Sequence, residues 1–521
     1  MKKSQIACLL GFQIISFCSL SQQQIEYKAD RIKVVKKYKG GAQRLLGNVV
    51  FIQGEMTMNC DSAYFLDNNT VEAYSNIFIK KGDSLTISGH TALYDGNTKL
   101  GRIEGDVVCT ESDMVLTTDT LYFDSKNSIA SYLKGGVINS KDNHLVSQHG
   151  FYFSKLKRIS FRYDVRLTNP QYVITADTLS YFTASKTAVF EGPTNIKGEK
   201  DNLYCESGWY NTRTEISHLT KNAVIYSNKK ILHADSVHYY KKTETGEAYS
   251  HVSIIDNYEK SIIYGDYSVT NQKKGKTIIT GHAWIEKFSV TDTLVASADT
   301  IIAYQKKIEV KGDTLSKKKK INSDSIPGRD SSVIKAFHHV RLFKRDVQGV
   351  ADTLIYSGYD SLITLLYLPI VWNKQNQISG KKVWIYMNNG QIDKINIPEN
   401  TFICEKIDSI HFNQIKGREL WAWFSKDTLR RIDIVGNAQT VYYPKNDKNN
   451  KLKGASCSES SSIRLLTDKG KVDKMTLVKK TKMKMTPLQD VQPKQIELKG
   501  FSWQIEKKPL SREDVILRGG H

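Results

Sequence analysis

A motif recurs along this chain and dominates what it can fold into: a short apolar stretch, a small residue, an acidic or polar residue, then an aromatic three to five positions later. Clear copies are Cys60-Asp61-Ser62-Ala63-Tyr64, Gly89-His90-Thr91-Ala92-Leu93-Tyr94, Thr118-Asp119-Thr120-Leu121-Tyr122 and Ala176-Asp177-Thr178-Leu179-Ser180-Tyr181. Others begin at Cys205, Ala234, Ala298 and Ala351, and weaker ones centre on His149 and Asp266. The key position falls at 61, 90, 119, 149, 177, 206, 235, 266 and 299, a period of about 29 residues. A large apolar residue stands three positions before it, at Met58, Ile87, Leu116, Val146, Ile174, Leu232 and Ile263. Units of that length bury their apolar faces against their neighbours in a quasi-one-dimensional stack.

The units read as all-β. Segments such as Ser84-Leu85-Thr86-Ile87-Ser88 alternate polar and apolar residues, and β-branched and aromatic residues abound. Asn68-Asn69, Asp95-Gly96-Asn97, Gly135-Gly136 and Lys273-Lys274-Gly275 supply turns. With strands of ordinary length, one unit holds about three. Repeats are expected over residues 22–311, followed by a Lys-, Ser- and Asp-rich flexible insertion at 312–335. A second, smaller β segment is expected at 336–443 and a linker with a C-terminal tail at 444–521.

The first 21 residues read as a secretory signal peptide: Met-Lys-Lys, a short apolar run at 6–17, and small residues Ser19 and Ser21 before a cleavage site. Cys18 as a lipidated cysteine is the competing reading, against which stands the bulky Phe17. No later segment reaches the length of a transmembrane helix; the nearest, residues 362–372, is interrupted by Thr364 and Pro369. Beyond the signal, Cys60, Cys109, Cys205, Cys404 and Cys457 are too dispersed for a disulfide framework. The net charge is +21, and removing Lys2 and Lys3 leaves +19. Such a balance favours a polyanionic partner, and export makes a phosphorylated glycolipid or an anionic membrane surface a better candidate than nucleic acid.

Gly47-Asn48-Val49-Val50-Phe51, Gly105-Asp106-Val107-Val108 and the recurrent A-D-T/S-x-x-Y resemble the OstA-like fold of the lipopolysaccharide export proteins LptA and the periplasmic part of LptD. The resemblance spans residues 26–310, loosens over 336–443 and leaves the tail uncovered. It implies an elongated open β-jelly roll whose apolar interior holds the acyl chains of lipid A while sugar and phosphate stay near the mouth. It further implies a periplasmic carrier or bridge, possible peripheral attachment to the outer membrane, edge-strand pairing with other lipopolysaccharide transport proteins, and head-to-tail self-association. The repeat region is much longer than a single-domain bridge of this kind.

The apolar series Met58, Ile87, Leu116, Val146, Ile174, Leu232 and Ile263 either lines a lipid groove or fills a closed core, and the residues alone leave both open. Asp61, Asp119, Asp177, Asp235, Asp299 and Asp352 are expected to be structural, each accepting a hydrogen bond within its own turn rather than binding a metal or a sugar. No nucleophile elbow, zinc spacing, phosphate loop or paired-carboxylate site is present, so neither enzyme nor cofactor is expected. The alternatives are a structural or adhesive exported β-solenoid with a closed core and, further off, a polysaccharide lyase or hydrolase.

Overall fold

The computed structural model describes residues 25–307 and 330–517, apart from short breaks at 54, 84, 112–113, 171, 200, 228–229, 290–291, 427, 447–448, 450 and 469–470. The expected signal peptide, Cys18 and most of the expected insertion lie outside the described residues. The chain divides into two compact units: Met1–Asn228 with Asp235–Thr243, and Lys229–Ala234 with Glu244–His521.

In the first unit almost every long strand has 11 or 12 residues, from Ala42–Gln53 and Met56–Leu66 to Asp201–Asn211 and Ile216–Ser227. Successive strands pair antiparallel through tight turns. Each pairing slips register near its middle, at Leu46/Val49, Asn59/Ser62, Tyr74/Ile77, Ser88/Thr91 and Glu104/Val107. Such a bulge bends the strand, so that both halves turn a face onto one core: Leu45 and Phe51, or Ile103 and Cys109, belong to the same buried cluster. The backbone enters the left-handed region there, at Gly47 (φ 76°) with Asn48 (42°) and at Gly105 (84°) with Asp106 (46°). Gly, Asn and Asp tolerate that conformation best.

A 29-residue unit therefore holds two strands, not the three expected. The physical reason is the bulge, which interrupts the alternation and makes one bent strand read as two short ones. At one place the two halves separate. Met114–Asp124 pairs with Gly136–Ser140 through one half and with Ile129–Tyr132 through the other, and Arg158–Asn169 rejoins the two layers.

The second unit repeats this plan, with left-handed bulge residues at His282, at His338 with His339, and at Asn437. Its layers separate after Val347–Ser357. One branch runs through Leu362–Leu366, Lys382–Asn388, Gln391–Ile397 and Glu419–Ser425. The other runs through Ile370–Asn373, Asn376–Ser379, Thr401–Lys406 and Phe412–Gly417. Both rejoin at Thr428–Tyr442. Each unit is an all-β jelly roll of stacked, bent hairpins.

Two expectations about segment ends need correction. Asp330–Lys344 is a strand, so the insertion does not extend to 335. The region expected as linker and tail carries Gly454–Asp468, Lys471–Val478 and Lys482–Pro487, of which the first pairs along Thr428–Tyr442 with the usual mid-strand slip. Beyond them, short helical turns at Pro493–Ile496 and Arg512–Leu517 belong to a segment that packs back onto the second unit. Among the described residues no helix is long and apolar enough to cross a membrane.

Candidate apolar groove

Directly opposed residues in an antiparallel ladder lie on one face of the sheet. In the first unit one such rung is apolar throughout: Phe51, Met58, Ile79, Ile87, Cys109 and Leu116 face one another in turn. It continues through Ile138, Leu145, Leu167, Ile174, Ile196 and Leu203. The facing layer contributes Leu45, Ala63, Ala73, Ala92, Ile103 and Leu121. A neighbouring rung adds aromatics, with Tyr94, Phe123 and Tyr152 separated by Gly101 and Ala130.

Between these layers lies a cavity of about 220 Å³. Its walls are almost wholly hydrocarbon and sulfur, with polar groups confined to a few such as Ser140 and Asn143. Water in so apolar a space lacks the two to four polar partners it needs. An alkyl chain loses nothing there. The Cys109 thiol forms part of the wall, and burial pushes it up to about 12, which makes it an inert hydrophobe.

Polar groups appear one rung toward the strand ends, where Gln53, Met56, Lys81, Leu85, Glu111 and Met114 are opposed in order. Glu111 is only 4% exposed, its Oε2 has no partner, and burial pushes its carboxyl up to about 7. A group in that setting holds its proton in mildly acidic solution.

Three members of the expected series, Met58, Ile87 and Leu116, line the cavity. Ile174 extends the same rung and packs half-buried against the same core, outside the cavity wall. Val146 belongs to the opposite face: it alternates with buried Leu145 and Ser147, and Leu145 takes the rung position. The strand break at Gln148 adds one residue to that repeat, and a one-residue slip flips a side chain across a sheet. Leu232 is half-buried in Lys230–Tyr240, and Ile263 is buried in the second unit, paired with Ile254 and Ile285. Phe51, Ile79, Ile138 and the facing aromatics were missed because the motif marks one strand of each hairpin only.

The recurrent acids sit at mid-strand bulges, not in turns between strands. Asp61 accepts from Asn76 Nδ2 at 2.8 Å, on the bulge of the next strand. Asp119 accepts from its own Thr120 at 2.9 Å, as Asp177 does from Thr178 at 3.2 Å while also filling the space beside Gly192. Asp235 is exposed in its strand. Asp299 meets His339 Nδ1 at 2.9 Å, and Asp352 meets His338 Nδ1 at 3.1 Å and its own Thr353 at 2.9 Å. The glycines of the motif make room for this partner: a Cβ on Gly47 would lie 2.4 Å from the Asp30 carboxylate. Among the described residues no group of three or more His, Cys, Asp or Glu could hold a metal ion.

No curated protein matches the chain. Among solved structures, a similar one is LptH from Pseudomonas aeruginosa, described as the LptA-homologous periplasmic component of the lipopolysaccharide transport device. It is 18% identical, with 19% of this chain and 76% of that chain covered and a TM-score of 0.18. Residues 22–177 match the family described as OstA-like protein. That span takes in the Gly-Asn and Gly-Asp bulges, the apolar rung from Phe51 to Ile174 and the whole of the cavity wall, so this part of the chain is similar to OstA-like proteins.

Proposed function

We propose that this chain is a periplasmic carrier or bridge for lipopolysaccharide, holding the acyl chains of lipid A in the apolar groove of its first unit on the way to the outer membrane. The observation that carries the reading is the cavity between two apolar layers, with Met58, Ile87 and Leu116 in its wall. Each methylene moved there from water contributes ~0.8 kcal/mol, so a few acyl chains bind firmly without specific contacts. The match of residues 22–177 to the OstA-like family supports the same assignment.

The first unit also offers an edge for assembly. Arg31–Val35 pairs with Ala42–Gln53, and its Ile32 and Val34 are 51% and 73% exposed. An exposed apolar edge strand is a template for β-augmentation, here by another lipopolysaccharide transport protein or by a second copy head to tail.

The test is photocrosslinking in cells with a crosslinking residue placed in turn at Ile87, Leu116 and Ile174, and at Thr86 and Thr117 on the opposite face. Lipopolysaccharide adducts at the first three and none at the controls are expected. An absence of adducts at every groove position, in a protein that is folded and exported, would overturn the reading in favour of a closed structural solenoid.

A further inference from the structure

In the second unit, one branch of the jelly roll has a second face that the core does not use. Leu342, Gly349, Val371, Ile378, Ile403 and Ile415 are opposed in turn and point into the core. The residues beside them point the other way and form two further rungs. The first consists of Gln348, Trp372, Gln377, Cys404 and Gln414. All five are buried, because the C-terminal segment lies on them. Gln414 Oε1 accepts from Leu498 N at 2.9 Å, Gln377 donates to Ser502 O at 2.7 Å, and its Oε1 accepts from Gln504 N at 2.8 Å. Phe501 and Trp503 pack against Phe412, and the segment ends with Arg341 joined to Asp514 at 3.0 Å and Val515 fully buried.

The second rung is Arg341, Val350, Ile370, Ser379, Phe402 and Lys416. Here the segment stands off the sheet and leaves a recess of about 1000 Å³. Five strand steps of about 4.8 Å make its floor ~24 Å long. A cation stands at each end, Arg341 and Lys416, and Lys381, Lys499 and Lys507 complete the walls and roof. No carboxylate belongs to the lining. Two cations have acidic partners outside it, Arg341 with Asp514 and Lys381 with Glu399. The Lys416 and Lys507 ammonium groups rest on neutral oxygens, the Lys499 carbonyl at 2.8 Å and Gln504 Oε1 at 2.6 Å. Two buried polar atoms of lining residues, Thr401 Oγ1 and Arg341 Nε, have no hydrogen-bond partner.

We propose that this recess binds a phosphorylated saccharide. Arg and Lys around an acid-free cavity select an anion, and guanidinium suits the oxygens of a phosphate. Ser379, Asn400, Thr401, Ser502 and Gln504 offer the short polar groups that sugar hydroxyls pair with. A nucleic acid strand fits poorly, since it needs exposed aromatic faces for its bases. The lining has two aromatic rings: Phe402, which is 6% exposed and packs beside Phe501, and the His339 imidazole, which is held by Asp299 at 2.9 Å. This site is in the other unit from the apolar groove and does not rest on the lipid reading.

The experiment is titration calorimetry of the full chain with four probes: a monophosphorylated mannose pentasaccharide, the unphosphorylated pentasaccharide, inorganic phosphate and a short thymidine oligonucleotide. The phosphorylated pentasaccharide is expected to bind at least tenfold more tightly than any other probe. Lys381→Glu, which lies away from the C-terminal segment, and Lys499→Glu should each weaken it at least tenfold with the unfolding midpoint unchanged, whereas Lys482→Glu on an outlying strand should not. Equal affinity for inorganic phosphate, meaning an adventitious ion only, would overturn the proposal. So would preference for the oligonucleotide, absence of binding, or indifference to Lys381→Glu.

Discussion

Replacing Glu111 by Gln tests the electrostatics at the end of the apolar groove. The carboxyl is 4% exposed, leaves one oxygen unpartnered and is pushed up to about 7 by burial, from an ordinary 4.5. At 1.36 kcal/mol per pKa unit, that shift corresponds to about 3 kcal/mol between the two protonation states. A folded-state pKa above the unfolded one means that the folded protein binds the extra proton. Its contribution is fully present below about pH 4.5, declines as pH rises, and is gone above about pH 7. Gln is a neutral isostere at every pH. The Glu111→Gln protein should match the parent near pH 4.5 and exceed it by 1–3 kcal/mol, as an order of magnitude, near pH 8. With a urea slope of about 1–3 kcal/mol per M, the midpoint should move up by roughly 1 M at the higher pH. Pulse labelling of Cys109, buried two residues away, across a urea gradient with peptide-resolved mass spectrometry reports the unfolding of this unit. An equal difference at both pH values, or a less stable variant at pH 8, would refute the reasoning.

Other perturbations address the bulge and the edge. Gly105→Val forces a β-branched residue into φ 84° and places a Cβ 2.6 Å from His90 Nδ1; a loss of about 2–3 kcal/mol is expected, read by chemical denaturation. Changing Ile32 and Val34 together to Lys should leave stability within about 0.5 kcal/mol, because both are exposed. The same pair should abolish association through that edge in sedimentation and pull-down measurements.

What the sequence conveyed and what it hid follow from how local each feature is. Alternation and turn residues are local, so the strands and the period of about 29 were legible from positions such as Ile87 and Asp95-Gly96. The bent strand was not, since Gly47-Asn48 and Gly105-Asp106 look like ends of strands until the pairing on both sides is known. The groove was half legible for a related reason: Met58, Ile87 and Leu116 keep a fixed distance from a recognisable motif, while Phe51 and Ile79 share their rung only through pairing. Val146 shows the limit of counting, because one extra residue at Gln148 moves it to the other face. The C-terminal segment carries no periodicity at all. Phe501 packs against Phe402 and Phe412, and the Arg512–Leu517 turn that carries buried Val515 packs against Thr293–Lys307 and Asp330–Lys344, all far back in the chain, and only the folded sheet specifies those.

The two units share one plan but fill it differently, and that difference bears on whether the groove is a functional cavity or a packing defect. The first unit's facing rung places Ala63, Ala73 and Ala92 in succession, whereas the second unit's has Ile279, Ile301, Ala336, Leu354, Leu365 and Val383. Those alanines lie outside the wall of the 220 Å³ cavity, whose lining sets large side chains such as Met58, Leu116, Phe123 and Tyr152 beside the small Ala130, Ser131 and Gly150. Apolar surface left facing an unfilled groove is a cost that an occupying ligand offsets. Ala130 separates these cases: it lines the cavity between Phe123 and Tyr152, half-buried. Ala130→Leu adds three carbons, worth at most ~2.4 kcal/mol on transfer. If the space is a binding groove, the variant should be more stable than the parent in the absence of lipid and should give fewer lipopolysaccharide adducts at Leu116. If it is instead closely packed in solution, Leu will not fit, stability will fall by about 1–3 kcal/mol, and the argument from cavity to carrier fails with it.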